Sequence, residues 1–343
     1  MALTADDWPI TAALLQSPGI RRDGSSVQDA PAETWREKFE EVADAGFDAV
    51  DLTDSWVRPG DLAPERLDEF AGAVRAAGIA APVISLVRKS VLDAQHGDAN
   101  LAYSHRSIEA AAAIGARVVC VGLHQALTPA QQQALWFWTV PGHVDPDDPA
   151  ERARAVRRFQ ELGRHAAEVG VLLSLELYED TYLGTAESAV RLVEEVGMPE
   201  VGLNPDVGNL VRLHRPIESW RELYAATLPY ANYWQAKNYA RDEDPIRGWY
   251  TAVPAPLETG MINYREVFQE ALAAGFQGIV CTEHYGGDGL SVSASNRDYL
   301  RRYAMPKRDG YRLGTSRVTQ PGLALPRTDS KNEGLRPQRE ERS

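Results

Sequence analysis

The stretch Val169-Gly170-Val171-Leu172-Leu173-Ser174-Leu175-Glu176 decides the fold. A glycine follows a helical pattern, an apolar run follows the glycine, and a carboxylate closes the run. Glycine is the usual residue just past a helix end, where positive φ is often needed. A short apolar run with little alternation suits a strand buried on both faces, as in a parallel sheet. The same step recurs at Ala45-Gly46-Phe47 before Ala49-Val50-Asp51-Leu52, and at Ala77-Gly78-Ile79 before Pro82-Val83-Ile84-Ser85-Leu86. It recurs again at Ile114-Gly115-Ala116 before Val118-Val119-Cys120-Val121, and at Val196-Gly197-Met198 before Val201-Gly202-Leu203. The last is Ala274-Gly275-Phe276 before Gly278-Ile279-Val280-Cys281. The intervening helices are amphipathic: Trp35, Phe39, Val42 and Ala43 share one face, and Ile217, Trp220, Leu223 and Tyr224 another. Asn263 and Glu266 have capping-box spacing. Ile10 to Leu15 supplies a first strand and Ala231 to Lys237 a seventh, so the strand at 279–281 is the eighth. Eight strands alternating with helices predict a single α/β domain, a (β/α)8 barrel over residues 1–304. A doubly wound open sheet is the weaker alternative, because no Gly-x-Gly-x-x-Gly turn opens any helix.

Composition narrows the function. The 343 residues carry 36 Lys and Arg against 49 Asp and Glu, a net charge of -13. That surface repels a phosphate backbone, so neither nucleic acid nor an anionic membrane is an expected partner. Cys120 and Cys281 are the two cysteines, too few for a disulfide framework. The start lacks a signal pattern and no run approaches the roughly 20 apolar residues of a membrane span, so a cytoplasmic location is expected. Residues 305–343 are rich in Arg, Pro, Gly, Ser and Thr; such a tail is expected to be disordered or to order on a partner subunit.

A barrel places its chemistry at the C-terminal ends of the strands. Those ends carry Glu176, then Asn204-Pro205-Asp206-Val207-Gly208-Asn209, then Gln235-Ala236-Lys237-Asn238, then Cys281-Thr282-Glu283-His284. Carboxylates set inside or just after apolar runs are costly to bury unless they are paired or bind a cation. Three of them with an amide oxygen make a hard ligand set that favours Mn²⁺ or Mg²⁺ over zinc. Pairing of each carboxylate with a barrel Arg or Lys is the plain structural alternative.

These pieces, with Leu257-Glu258-Thr259-Gly260-Met261-Ile262-Asn263-Tyr264, resemble the xylose isomerase-like barrels, the sugar phosphate isomerase/epimerase superfamily, over about residues 8–304. The resemblance implies one divalent metal held by Glu176, Asp206, Gln235 and Glu283. Gln235 stands where the family has His, and Asn238 where it has Asp. It also implies Glu176 and Glu283 as proton carriers in an epimerase or isomerase. Lys237 and His284 are candidate substrate-binding residues beside them.

Residues 124–149 form a βα connection far longer than the usual 2–6 residues, at the face where substrate enters. Trp136, Phe137 and Trp138 suit either a lid packed on the rim or a platform for a ring, and Trp136 and Trp138 are candidate substrate-binding residues. His124 and His143 are candidate acid–base groups. His96, His105 and His165 are expected to be solvated. The loop, acidic body and polar tail look most like the catalytic subunit of the C-glycoside deglycosidases. That resemblance implies metal-dependent cleavage of the carbon–carbon bond of a 3-oxo-C-glycoside, alongside a smaller β-rich partner subunit. A ketose epimerase or isomerase using the same metal is the alternative. The zinc-binding endonuclease-like relatives are disfavoured by the charge and the scarcity of His at strand ends, and a catalytically dead binding subunit is a further rival.

Overall fold

The computed structural model describes residues 2–322. The chain runs β1 (Ile10–Ala13), α1 (Ala32–Asp44), β2 (Ala49–Thr53), α2 (Pro64–Ala76), β3 (Ala80–Ser85), α3 (Gly97–Ile114) and β4 (Val118–Gly122). It continues through α4 (Pro129–Gln133), α5 (Pro149–Glu168), β5 (Leu172–Glu176), α6 (Ala186–Val196), β6 (Val201–Asn204), α7 (Gly208–Val211), α8 (Trp220–Thr227) and β7 (Tyr233–Ala236). A hairpin, β8 (Asn238–Asp244) and β9 (Trp249–Ala255), precedes α9 (Tyr264–Ala273), β10 (Ile279–Thr282) and α10 (Gly289–Tyr299).

Eight parallel strands form one sheet in the order β6-β5-β4-β3-β2-β1-β10-β7. The ring closes between β6 and β7 through a parallel bridge, Leu203 to Ala231, and through the Gln235 N–H donating to Asn204 Oδ1 at 2.8 Å. The (β/α)8 barrel read from the sequence is therefore the fold. All six glycines of the helix-to-strand steps take positive φ, from 66° at Gly197 to 85° at Gly46 and Gly275.

Local chemistry explains the elements. Thr185 caps α6 by accepting from the Ser188 N–H, and Ser188 answers on the Thr185 N–H. Ala189, Leu192, Val193 and Val196 then share the buried face of α6. At α9 the Asn263 side chain accepts from the N–H groups of Arg265 and Glu266. The box there is incomplete, because the Glu266 carboxylate pairs with Arg221 at 2.6 Å instead. The main core lies between strands and helices. A second, smaller cluster, including Val83, Val118, Cys120, Leu172, Tyr233 and Ile279, fills the barrel interior.

Three features go beyond the sequence reading. The hairpin β8–β9 was not foreseen, because Asn238–Asp244 is too polar to read as a strand. The first part of the polar tail, expected to be disordered or held by a partner, lies on this chain's own surface: Gly314 N–H donates to Leu272 O, Arg317 N–H to Pro229 O and Thr319 N–H to Pro199 O. Backbone groups of the barrel hold it, together with Val318, which packs on the main core, contacts that composition does not reveal. Residues 323–343 lie outside the described residues. Third, His105 and His165 are not simply solvated: their Nδ1 atoms are 2.7 Å apart, and Glu161 and Glu109 engage their Nε2 atoms, joining α3 to α5.

Candidate active site at the barrel mouth

Glu176 ends β5, Asp206 follows β6, Gln235 lies in β7 and Glu283 follows β10, so all four stand at the C-terminal ends of their strands. Each is buried. Lys237, just past β7, is buried among them, with Nζ 2.7 Å from Asp206 Oδ2 and 2.6 Å from Glu283 Oε1. Asn209 Nδ2 donates to Glu176 Oε1 at 2.9 Å. Gln235 is held by three neighbours. Its Oε1 accepts from Asn204 Nδ2 at 2.7 Å, and its Nε2 donates to Asp51 Oδ2 and faces Ser85 Oγ.

Three buried carboxylates thus share one ammonium, a surplus of negative charge. Burial raises the Glu176 carboxyl to about 8, and Asp206 and Glu283 add to the effect. Burial likewise raises Asp206 to about 6 against the pull of Lys237. Asp206 Oδ1 has no hydrogen-bond partner among the described residues. An all-oxygen donor set with surplus charge and an orphaned oxygen suits a hard divalent cation. The cage is not preformed. Among the described residues no three His, Cys, Asp or Glu side chains already stand in metal-holding geometry. The Lys237 ammonium stands between Asp206 and Glu283 instead.

His124 lines the cavity above the carboxylates, stacked on Tyr178 with centroids 4.8 Å apart. Burial and the nearby Arg88, Lys237 and Arg212 hold its imidazole well below the usual range, so it is neutral. His143 is not brought to this cavity. It is exposed on the rim, 3.7 Å from Asp145 Oδ1. His284 lines an adjoining cavity of about 270 Å³, beside Gln16 and Lys38, which shares Glu283 with the mouth. Trp138 is buried edge-on against Tyr239 and Tyr285, and Trp136 stacks on it at 5.0 Å. The lid reading of the loop describes this state: the cavity over the carboxylates is only about 20 Å³, room for a water molecule or two. Sequence reasoning missed Arg88, Tyr178, Arg212 and Tyr285. They lie on irregular segments, where no periodicity announces which side chains turn inward.

The sequence pattern of the family described as "Xylose isomerase-like TIM barrel" matches residues 39–303. The chain belongs to that family. A solved member, a xylose isomerase-like TIM barrel protein from Mycobacterium smegmatis in complex with magnesium, is 46% identical with a TM-score of 0.84, covering 88% of this chain and 98% of that one. The xylose isomerase domain protein from Planctomyces limnophilus is 17% identical at a TM-score of 0.61, over 85% and 93% of the two chains, and speaks for the fold alone. D-psicose 3-epimerase of Enterocloster bolteae is 37% identical over 73 residues, 20% of this chain and 24% of that protein. The match thus spans about a quarter of that relative's length. Among the described residues, no helix of this family member is long and apolar enough to cross a membrane.

Proposed function

We propose that the protein is a divalent-metal-dependent epimerase or isomerase of a sugar bearing a carbonyl group. The observation that carries this reading is the cluster of Glu176, Asp206 and Glu283 around a single ammonium, buried at the strand ends. The magnesium complex of the mycobacterial relative and the D-psicose 3-epimerase segment support it. Glu176, Asp206 and Glu283 would hold the ion, with the Gln235 carbonyl as a weaker donor; Mg²⁺ and Mn²⁺ both suit them. When bound, such an ion supplies Lewis acidity to the carbonyl and neighbouring hydroxyl oxygens of the sugar. One of the pair Glu176 and Glu283 takes the proton from the carbon next to the carbonyl, and the electron pair passes to the carbonyl oxygen. The other returns a proton to the opposite face. Lys237 orients Glu283, Asn209 orients Glu176, and neutral His124 can carry a proton at a substrate oxygen.

A second reading, cleavage of a 3-oxo-C-glycoside, is favoured by one feature, the aromatic cluster of Phe137, Trp138 and Tyr285 over the mouth. It shares the first proton abstraction and differs in the leaving group. The resemblance that suggests it carries with it a smaller β-rich partner subunit. Incubation in D₂O with Mg²⁺ or Mn²⁺ separates the two. Deuterium entering next to the carbonyl of a ketose or 3-oxo-glucoside, with the carbon skeleton intact, is the outcome expected for an epimerase. A free aglycone released from a 3-oxo-C-glucoside assigns the lyase instead. Neither product with either ion rejects both.

A further inference from the structure

The upper wall of the mouth has the opposite charge to its floor. Arg212, at the end of α7, is wholly buried and pairs with Glu179 through Nη2 alone, at 3.1 and 3.2 Å. Among the described residues neither its Nε nor its Nη1 reaches a carboxylate or carbonyl oxygen at hydrogen-bond distance, and the guanidinium instead engages the neutral Tyr239 phenol, whose upward shift from burial it holds down. A neutral phenol oxygen is a weaker partner for a buried guanidinium than an anionic oxygen. Arg88, just past β3, is half-buried and has no carboxylate partner among the described residues; its Nη1 donates to Gln125 O at 3.0 Å and its guanidinium also engages the neutral Tyr178 phenol. Its backbone φ of 57° is a left-handed conformation uncommon for a residue with a side chain. Both guanidinium groups lie against one ring: Cζ of Arg88 and Cζ of Arg212 are each 4.7 Å from the centroid of Phe137. That ring belongs to the lid that shuts the cavity.

We propose that Arg88 and Arg212 form an anion-binding end of the substrate site, that Phe137 fills it while the lid is closed, and that the substrate is a carbonyl sugar bearing a carboxylate or phosphate. The inference rests on the reading of the carboxylate cluster as a sugar-processing centre. An aromatic group in the place of Phe137 would repeat the cation–π contacts but offer no lone pair to Nε and Nη1. An anionic oxygen supplies lone pairs and also answers the uncompensated charge of Arg88. The acidic floor repels such a group, so the sugar is oriented with its anionic end toward the arginines and its hydroxyls toward Glu176, Asp206 and Glu283.

The test is binding to the full chain with Mg²⁺ present, read by calorimetry and by the fluorescence of the lid tryptophans. D-glucuronate and D-fructose 6-phosphate are compared with neutral D-glucose and D-fructose. At least one anionic sugar is expected to bind about tenfold or more tightly than its neutral partner. Preference for the glucuronate assigns a carboxylate and preference for the ketose phosphate a phosphate; either supports the proposal. In Arg88→Met the preference should collapse to within about twofold, while Arg88→Lys keeps part of it. Arg212→Met strands Glu179 and can fail to fold, so Arg88 is the deciding position. Phe137→Ala should tighten binding of inorganic phosphate alone. Equal affinities for charged and neutral sugars, or a preference that survives Arg88→Met, would overturn the inference. If neutral ketoses then still exchange deuterium, the proposed epimerase function stands without it. If anionic sugars bind through Arg88 and no sugar exchanges, the epimerase reading fails and the subsite stands.

Discussion

Lys237 decides how the centre behaves without metal. Its ammonium is the resident cation for Asp206 and Glu283. Removing one partner from a buried ion pair costs about 3–5 kcal/mol, because the remaining charge has no compensation. Lys237→Met should therefore lower the melting temperature of the metal-free protein, and Mg²⁺ or Mn²⁺ should restore more stability to the variant than to the parent. Thermal unfolding with and without 1,10-phenanthroline or EDTA checks this; identical metal responses in both proteins would show that ion and ammonium do not share a space. Asp206→Ala removes the carboxylate with the orphaned oxygen. Metal content by elemental analysis and turnover should fall together, and survival of both refutes the ligand set. The carboxylates were legible in the sequence because each interrupts or follows an apolar run, an expensive placement that needs a reason. Arg88 and Arg212 were not, since an arginine in a polar loop is unremarkable until folding buries it.

The 124–149 connection is the element on which access depends. Phe137 packs on Arg88 and Tyr285, and Trp138 on Tyr285, two residues that line the mouth, where the cavity is about 20 Å³ and a sugar needs some hundreds. Replacing Trp136 and Trp138 with Ala removes the stacked pair that holds the lid down. The variant should admit substrate faster and bind it more loosely, with KM raised severalfold, and tryptophan-dependent emission changes on binding should vanish. The two histidines at the ends of this loop now separate. His124→Ala should lower kcat about 10²-fold or more while metal stays bound. His143→Ala, on the exposed rim, should change kcat little; a large loss there would mean that lid movement carries His143 inward. The sequence placed both on the correct connection, but nothing local in it tells which end of a long loop turns toward the axis. Likewise β8–β9 escaped notice because a polar hairpin outside the barrel has neither the apolar run nor the helical period that marks other elements.

At the scale of the molecule, the repeat of glycine and apolar run made the barrel legible almost entirely, because each unit obeys the same local rules. What lay beyond reach were contacts between distant segments. Asp54, buried beyond β2, accepts from the Val87 N–H, and burial raises its carboxyl to about 6. The folded chain therefore binds a proton that the unfolded chain, with an ordinary Asp near 3.9, has released. Stability from this group is greatest below about pH 4 and is lost as pH rises to 6, by up to about 3 kcal/mol. Asp54→Asn should match the parent in urea midpoint at pH 3.5 and exceed it at pH 7; a constant difference across that range would exclude Asp54 as the source.

The segment from Gly314 to Gln320 touches Pro199, before β6, and Pro229 and Ala231, before β7. It thus crosses the junction where the sheet has only a single bridge between neighbours. Beyond that, β10 inserts between β1 and β7, joining the first strand of the barrel to its seventh. During vectorial synthesis the earlier strands can line up as an open, curved ribbon, but they cannot become a ring until about residue 282 has left the ribosome, nor be clasped until about residue 320 has. Until then the ribbon keeps two unpaired edges, the feature that a closed barrel removes.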